Sequence, residues 1–147
     1  KRFGLSLGVN RTGKERYREL LAGLGLGLEE KLDVKVGLLS GGQRQALALL
    51  MATMTPLDFL ILDEHTAALD PHTADTIMEL TDKIVKEQKL TAIMVTHNLR
   101  YAVEYGTRLI MMDKGGVILD RSGKEKDATT TESILDIFNK ISIECGN

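Results

Sequence analysis

An uninterrupted aliphatic strand followed by two acidic residues constrains the fold of this 147-residue chain more than any other feature. Residues 59–62 contain no polar side chain, as expected for a parallel strand that is buried on both faces, and Asp63 and Glu64 follow directly. A helical pattern comes next, and a second apolar strand, residues 91–96, leads into His97. This alternation of strand and helix predicts an α/β fold with a parallel sheet.

The residues before the first strand predict helices. From about residue 15, apolar residues recur at the spacing of one helix face, at Tyr17, Leu20, Leu21 and Leu24. A glycine-rich run, residues 23–27, is expected to end that helix, and residues 44–54 predict another. We therefore divide the chain into a helical subdomain, residues 1–55, and a partial α/β core, residues 56–147.

The last third of the chain predicts a β-hairpin and a terminal helix. Two apolar strands, residues 108–112 and 117–120, flank the turn sequence Asp-Lys-Gly-Gly. Residues 122–130 are polar and are expected to form a loop. Apolar residues from Ile134 onward then mark the last helix.

The composition excludes several classes of protein. The net charge is −2, so no basic face is available for nucleic acid, and the few aromatic residues offer little base stacking. The single cysteine, Cys145, cannot form an internal disulfide, and no apolar run reaches the roughly 18–20 residues that span a bilayer. The chain starts at Lys1 instead of methionine, so we expect the protein to begin upstream.

The helix that follows Ser40 starts with an unusual sequence. Ser40 and Gln43 have the spacing of a capping box, in which both side chains bond to backbone N–H groups at the helix start. Gly41 and Gly42 lie between them, although glycine weakens a first turn. Bare N–H groups at the positive end of a helix bind phosphate when no side chain blocks the approach. The segment therefore predicts either a plain helix cap or a phosphate site.

In their order along the chain, these features resemble the ATP-binding-cassette (ABC) ATPases. Residues 39–43, Leu-Ser-Gly-Gly-Gln, resemble the signature motif, and residues 59–64 resemble the Walker B strand with its following glutamate. His97 has the position of the switch histidine, and residues 66–70 resemble the D-loop. The resemblance implies a helical subdomain followed by the C-terminal half of a P-loop NTPase parallel-sheet core, with a C-terminal β-hairpin and helix.

The resemblance places the signature at the interface of a dimer. It implies contacts with ATP, held by the opposite subunit, for Ser40, Gly41, Gly42 and Gln43. Asp70, in the D-loop, is implied to take part in the same interface. Asp70 also precedes a proline, which makes it a good helix N-cap, and both roles can hold together.

The resemblance also assigns roles to the residues at the strand ends. Asp63 is implied to be a Mg²⁺ ligand, Glu64 the general base for the attacking water, and His97 the contact to the γ-phosphate. Ligands of open α/β sheets bind outside the carboxyl ends of the strands, where these residues are expected. Without the resemblance, an acidic loop and an ordinary polar histidine would be the simpler interpretation. His65 stands where the family often has proline.

A phosphate-binding loop is not convincingly present. Residues 8–14 match G-x4-G-K, but Glu15 follows where Ser or Thr would hold Mg²⁺. We expect residues 8–14 to form the turn before the helix that starts near residue 15.

For function, the resemblance implies the ATP-binding and ATP-hydrolysing subunit of an ABC transporter, with ATP and Mg²⁺, powering uptake of a small solute. Implied partners are a second ATPase subunit, in a homo- or heterodimer, and a transmembrane permease, with the subunit peripheral on the cytoplasmic face of the membrane. Without a phosphate loop, the 147 residues alone are predicted to be inactive. The alternatives are a soluble ABC-type ATPase without a permease and a non-catalytic module that lends its signature to a partner's ATP.

Overall fold

The computed structural model describes residues 11–145, which group into two units. Unit 1 contains the described residues up to Asp58 together with Thr66–Leu90, and unit 2 contains Phe59–His65 together with the described residues from Thr91 onward. Each unit is thus discontinuous in sequence. The subdomain boundary expected between residues 55 and 56 stays a prediction.

Unit 1 is helical. Its elements are α1 (Arg11–Ala22), two short 3₁₀ turns (Leu28–Glu30 and Val36–Leu38), α2 (Gly41–Thr53) and α3 (Pro71–Glu87). α1 ends at the glycine-rich run, as the sequence predicts, but it already starts at Arg11. The turn expected over residues 11–14 is therefore wrong, and residues 8–10 of the same prediction lie outside the described residues.

The sequence explains α3 most directly. Asp70 is its N-cap, with Oδ1 accepting from the N–H of Thr73 at 3.0 Å, and a proline occupies the first helical position. The helix then buries one face, whose residues recur every three or four positions: Ala74, Ile77, Met78, Leu80, Thr81 and Ile84.

Unit 2 combines a parallel strand pair, a hairpin and helices. Its elements are β1 (Leu60–Asp63), β2 (Ala92–Val95), α4 (Leu99–Glu104), β3 (Arg108–Asp113), β4 (Gly116–Ser122), α5 (Gly123–Asp127) and α6 (Thr131–Cys145). β1 and β2 pair in parallel, with Asp63 opposite Val95, whereas β3 and β4 pair antiparallel. Mixed helices and strands with a parallel sheet confirm the predicted fold class.

The hairpin supplies the core of unit 2. Lys114 and Gly115 both have positive φ angles, 47° and 80°, which is the backbone that the predicted tight turn requires. Leu109 and Met111 of β3 are buried in one cluster with Ile134 of α6. None of the helices that the structure describes is both long and apolar enough to cross a membrane.

Two local predictions are wrong in unit 2. The loop expected over residues 122–130 contains α5, because the buried side chain of Lys126 bonds to the carbonyl of Val103 and ties this polar segment to α4. The strand expected to be buried on both faces is not: Leu60 is buried, but Ile61 is 68% exposed. Within the described chain β1 pairs with β2 alone, so much of its surface is uncovered.

Candidate functional site

Glu64 and His97 meet at the carboxyl ends of the two parallel strands. Glu64 directly follows β1, and its N–H donates to the carbonyl of Val95 in β2 at 3.0 Å. His97 lies just beyond β2, and its Nδ1 is 2.6 Å from Glu64 Oε2. The side chains are 74% exposed for His97 and 37% for Glu64, so water reaches both. A side-chain contact this exposed to water adds little stability.

The backbone of Glu64 is strained. Its φ angle is 47°, in the left-handed region, where an L-residue costs about 1–2 kcal/mol relative to ordinary backbone. Strain of this kind at a non-glycine residue is frequent at functional sites, where the surrounding structure holds it in place. No sequence signal predicts it, because glycine is the residue expected at such a position.

The segment around His97 is fixed by a residue that the sequence analysis missed. The Asn98 side chain is the N-cap of α4, and Oδ1 accepts from the N–H groups of Arg100 at 3.1 Å and Tyr101 at 3.3 Å. The N–H of Asn98 in turn donates to Thr96 Oγ1 at 3.0 Å. The signal was present in the sequence, since asparagine directly before a helix is a preferred cap.

Asp63 is the last residue of β1, and it is exposed at the same strand end as Glu64. Among the residues that the structure describes, no group of three or more His, Cys, Asp and Glu side chains could enclose a metal ion. A single carboxylate nevertheless fits Mg²⁺, because that ion is usually bound by one or two carboxylates, water and substrate phosphates.

The predicted capping box is present at the start of α2, in unit 1. Ser40 Oγ accepts from the N–H of Gln43, and Gln43 Oε1 accepts from the N–H of Ser40, both at 3.2 Å. Helix geometry gives the N–H groups of Gly41 and Gly42 no acceptor within the helix. The cap and a phosphate-binding end are therefore compatible, because the box uses only the N–H groups of Ser40 and Gln43.

Both signature glycines also have a packing role that the sequence analysis missed. A β-carbon on Gly42 would overlap Cγ2 of Thr73, and one on Gly41 would lie 3.0 Å from Cδ2 of Leu69. Within unit 1, the start of α2 thus packs against the predicted D-loop and the first turn of α3. Asp70 caps that turn, and hydrogen bonds from Thr73, first from its side chain and then from its backbone, lower the pKa of Asp70.

Lys14, the lysine of the doubtful phosphate loop, belongs to α1 and lies at the surface of unit 1. Its Nζ is 2.6 Å from Asp33 Oδ1, and this partner lowers the pKa of Asp33. The structure divides the predicted site residues between the two units. Unit 1 holds Ser40, Gly41, Gly42, Gln43 and Asp70, and unit 2 holds Asp63, Glu64 and His97.

Comparison with known proteins first defines the class. The fold is that of an ATP-binding cassette: a cassette of an ABC transporter, solved in its ADP conformation, superposes with a TM-score of 0.69 at 23% identity over 99% of this chain and 54% of that one. The family model described as ABC transporter matches residues 5–67.

Curated relatives then define the family. The tyrosine transport ATP-binding protein of Clostridioides difficile is 56% identical over 119 residues, which is 81% of this chain and 47% of that protein. The methionine import ATP-binding protein MetN 2 of Bacillus cereus is 37% identical over 131 residues, 86% of this chain and 38% of the relative. The chain belongs to the ABC transporter ATPase family, and it spans about half the length, or less, of these relatives.

Proposed function

We propose that the protein containing this chain is the ATP-hydrolysing subunit of an ABC transporter that drives uptake of a small solute. The contact between Glu64 and His97 at the ends of β1 and β2 carries this proposal, because it pairs a candidate base with a candidate phosphate sensor. The relatives named for tyrosine transport and methionine import support uptake and favour an amino acid as the solute.

The chain's own residues divide the work at the strand ends. Bound Mg²⁺–ATP supplies the phosphoryl group and the neutralising ion, and Asp63 is the carboxylate that fits the ion. A carboxylate only accepts hydrogen bonds, so His97 Nδ1 donates to Glu64 Oε2 and leaves Oε1 to take the proton of a water molecule. Nε2 of His97 can donate to phosphate only when the ring carries both protons. The pair thereby couples the phosphate contact to the orientation of the base.

The start of α2 supplies the complementary half of the site. Ser40 Oγ accepts from Gln43, which leaves the hydroxyl hydrogen able to donate to a phosphate oxygen. The N–H groups of Gly41 and Gly42 lie at the positive end of the helix. In the proposed dimer, these groups and Asp70 face the nucleotide of a second ATPase subunit.

A transmembrane permease is the proposed second partner, with the subunit on the cytoplasmic face of the membrane. Unit 1 exposes large apolar side chains, among them Leu38 at 76%, Met51 at 63% and Val36 at 55%. Apolar side chains this exposed are candidates for contact with another protein. Co-purification of the protein with a membrane protein, lost when Leu38 and Met51 are changed to serine, tests this partner.

ATP turnover by the full-length protein tests the proposed function. Glu64→Gln keeps the size of the side chain and removes its charge, so we expect kcat to fall at least about 100-fold, the usual contribution of a general base. ATP affinity should change little. Glu79→Gln, an exposed substitution in α3, is the matched control. Hydrolysis that survives Glu64→Gln would contradict the role of Glu64.

The 147 residues on their own are expected not to hydrolyse ATP. Clamping of the transferred phosphoryl group needs a phosphate loop and its lysine, whereas Glu15 replaces the Mg²⁺-binding residue here and Lys14 is paired with Asp33. Hydrolysis by this segment that Glu64→Gln abolishes would refute this expectation.

A further inference from the structure

The side-chain amide of Gln43 is held on three sides within unit 1. Oε1 accepts from the N–H of Ser40 at 3.2 Å and from Nζ of Lys31 at 3.1 Å, and Nε2 donates to the carbonyl of Leu26 at 3.0 Å. An amide oxygen has two acceptor positions, so both are used, and one N–H remains. The opposite amide orientation would point N–H groups at two donors, so this network determines the orientation.

The glycine-rich run presents the carbonyl that Gln43 binds. Gly25 and Gly27, on either side of Leu26, have φ angles of 68° and 66°, in the left-handed region that favours glycine. A β-carbon built on either glycine would have no atom within 4 Å apart from those of the glycine and its chain neighbours, so the backbone angle, not space, requires them. The run therefore has a second role besides ending α1, because it places the Leu26 carbonyl where the Gln43 side chain can donate to it.

Lys31 adds a positive charge beside the positive end of a helix. Its ammonium donates a hydrogen bond to Gln43 Oε1, and the same oxygen accepts from the backbone N–H of Ser40. A cation there opposes the helix dipole, whereas an anion bound at the same helix end would be attracted by both. Lys31 is half-buried, so solvent screens its charge less than that of an exposed lysine.

We propose that Gln43 and Lys31 are positioning residues for the phosphate-binding end of α2. Gln43 fixes the backbone of Ser40 against the Leu26 carbonyl, and Lys31 fixes Gln43 and adds its charge. The amide of Gln43 thus acts through Ser40 and the glycines, and at most one N–H is left for a nucleotide. This inference rests on the proposed function and deepens its account of the signature.

The test compares variants of the full-length protein by two readouts. Lys31→Met keeps the apolar stem and removes the donor, Lys31→Arg restores a donor, and Lys35→Met repeats the first change at an exposed lysine of the same loop. Gln43→Glu keeps both acceptor bonds but replaces the donor to Leu26 with a repelling oxygen. The readouts are kcat and KM for ATP, and hydrogen exchange of the backbone N–H groups in the first turn of α2, compared with those of α3.

For Lys31→Met we expect kcat/KM to fall about 10-fold, the factor expected for one charge-assisted hydrogen bond, and exchange to accelerate in the first turn of α2 but not in α3. Lys31→Arg should recover most of both changes, and Gln43→Glu should accelerate the same exchange.

An active wild-type protein in which Lys31→Met matches Lys35→Met in both readouts would overturn the inference. Acceleration that is equal in α2 and α3 would also overturn it, because a general loss of stability would then be the cause. A wild-type protein without ATPase activity would instead overturn the proposed function, while hydrogen exchange would still decide whether Lys31 and Gln43 hold this turn.

Discussion

Gly42 packs against Thr73 so closely that a β-carbon at position 42 would overlap Thr73 Cγ2. Gly42 is buried in the first turn of α2, and Thr73 lies in the first turn of α3. The absence of a side chain lets two helix starts approach each other. It also means that no side chain of residue 42 stands over this helix end, where we propose that phosphate binds.

The first prediction follows from this contact. Gly42→Ala should destabilise the protein by about 1–3 kcal/mol, as overpacking of a tight contact does, although alanine is the better helix former. Thr73→Ser removes Cγ2 and keeps the hydroxyl, so the double variant should regain most of the loss. Urea unfolding measures the stability of Gly42→Ala, of Thr73→Ser and of the double variant. Gly37→Ala is the control, because only residue 37 and its chain neighbours lie within 4 Å of the new carbon. Equal stability of Gly42→Ala and wild type would show that the helices separate freely.

The second prediction concerns the strain at Glu64. Both Glu64→Gly and Glu64→Ala remove the carboxylate, but only glycine adopts the φ angle of 47° without cost. The glycine variant should therefore be more stable by about 1 kcal/mol. Glu79 is exposed and lies in the middle of α3. There the alanine variant should be the more stable one, because glycine destabilises a helix interior by about 1 kcal/mol relative to alanine. An alanine variant at position 64 that is the more stable of the pair would rule out strain there.

The sequence predicted elements whose pattern is local. The cap at Asp70 and the helix that follows it depend on side chains a few positions apart, and so does the tight turn of the hairpin. The box between Ser40 and Gln43 is equally local. Such features are decided by neighbouring residues, so the chain alone reveals them.

Contacts between distant segments were not predictable in the same way. The sequence around Gly42 does not predict its contact with Thr73. The sequence around Gln43 likewise does not predict a hydrogen bond from Lys31, 12 residues earlier. The α5 helix was missed because its segment has polar side chains, while burial of Lys126 depends on α4. The sequence predicted only that Glu64 and His97 lie at the same edge of the sheet. The 2.6 Å distance between their side chains depends on the three-dimensional structure.

The third prediction uses the ion pair between Arg108 and Asp120 across the hairpin. The guanidinium donates to both carboxylate oxygens, at 2.8 Å and 2.6 Å, and these hydrogen bonds lower the pKa of Asp120. A lowered pKa means that the pair contributes stability above the ordinary aspartate value of about 3.9, and that this stability is lost as the pH falls through the lower pKa of the folded state.

The melting temperature should therefore fall more steeply below about pH 4 in wild type than in Asp120→Asn, because asparagine has no proton to bind. Arg108→Gln should flatten the profile in the same way. Asp127→Asn is the control, because it makes the same chemical change at another exposed aspartate in unit 2. Parallel profiles for wild type and Asp120→Asn would show that the pair does not persist in solution.

The last prediction concerns Lys126, a cation that unit 2 buries. Its side chain is 5% exposed, and Nζ donates to the carbonyl of Val103 in the last turn of α4, where a helix has unpaired carbonyls and partial negative charge. Lys126→Met keeps the apolar stem but leaves that carbonyl without its donor, so we expect a loss of about 1–3 kcal/mol in urea unfolding. Lys124→Met, exposed in the same helix, should stay within about 0.5 kcal/mol of wild type. If the two variants are equally stable, the stem and not the ammonium holds α5 in place, and the polar sequence of that segment would then owe its helix to packing alone.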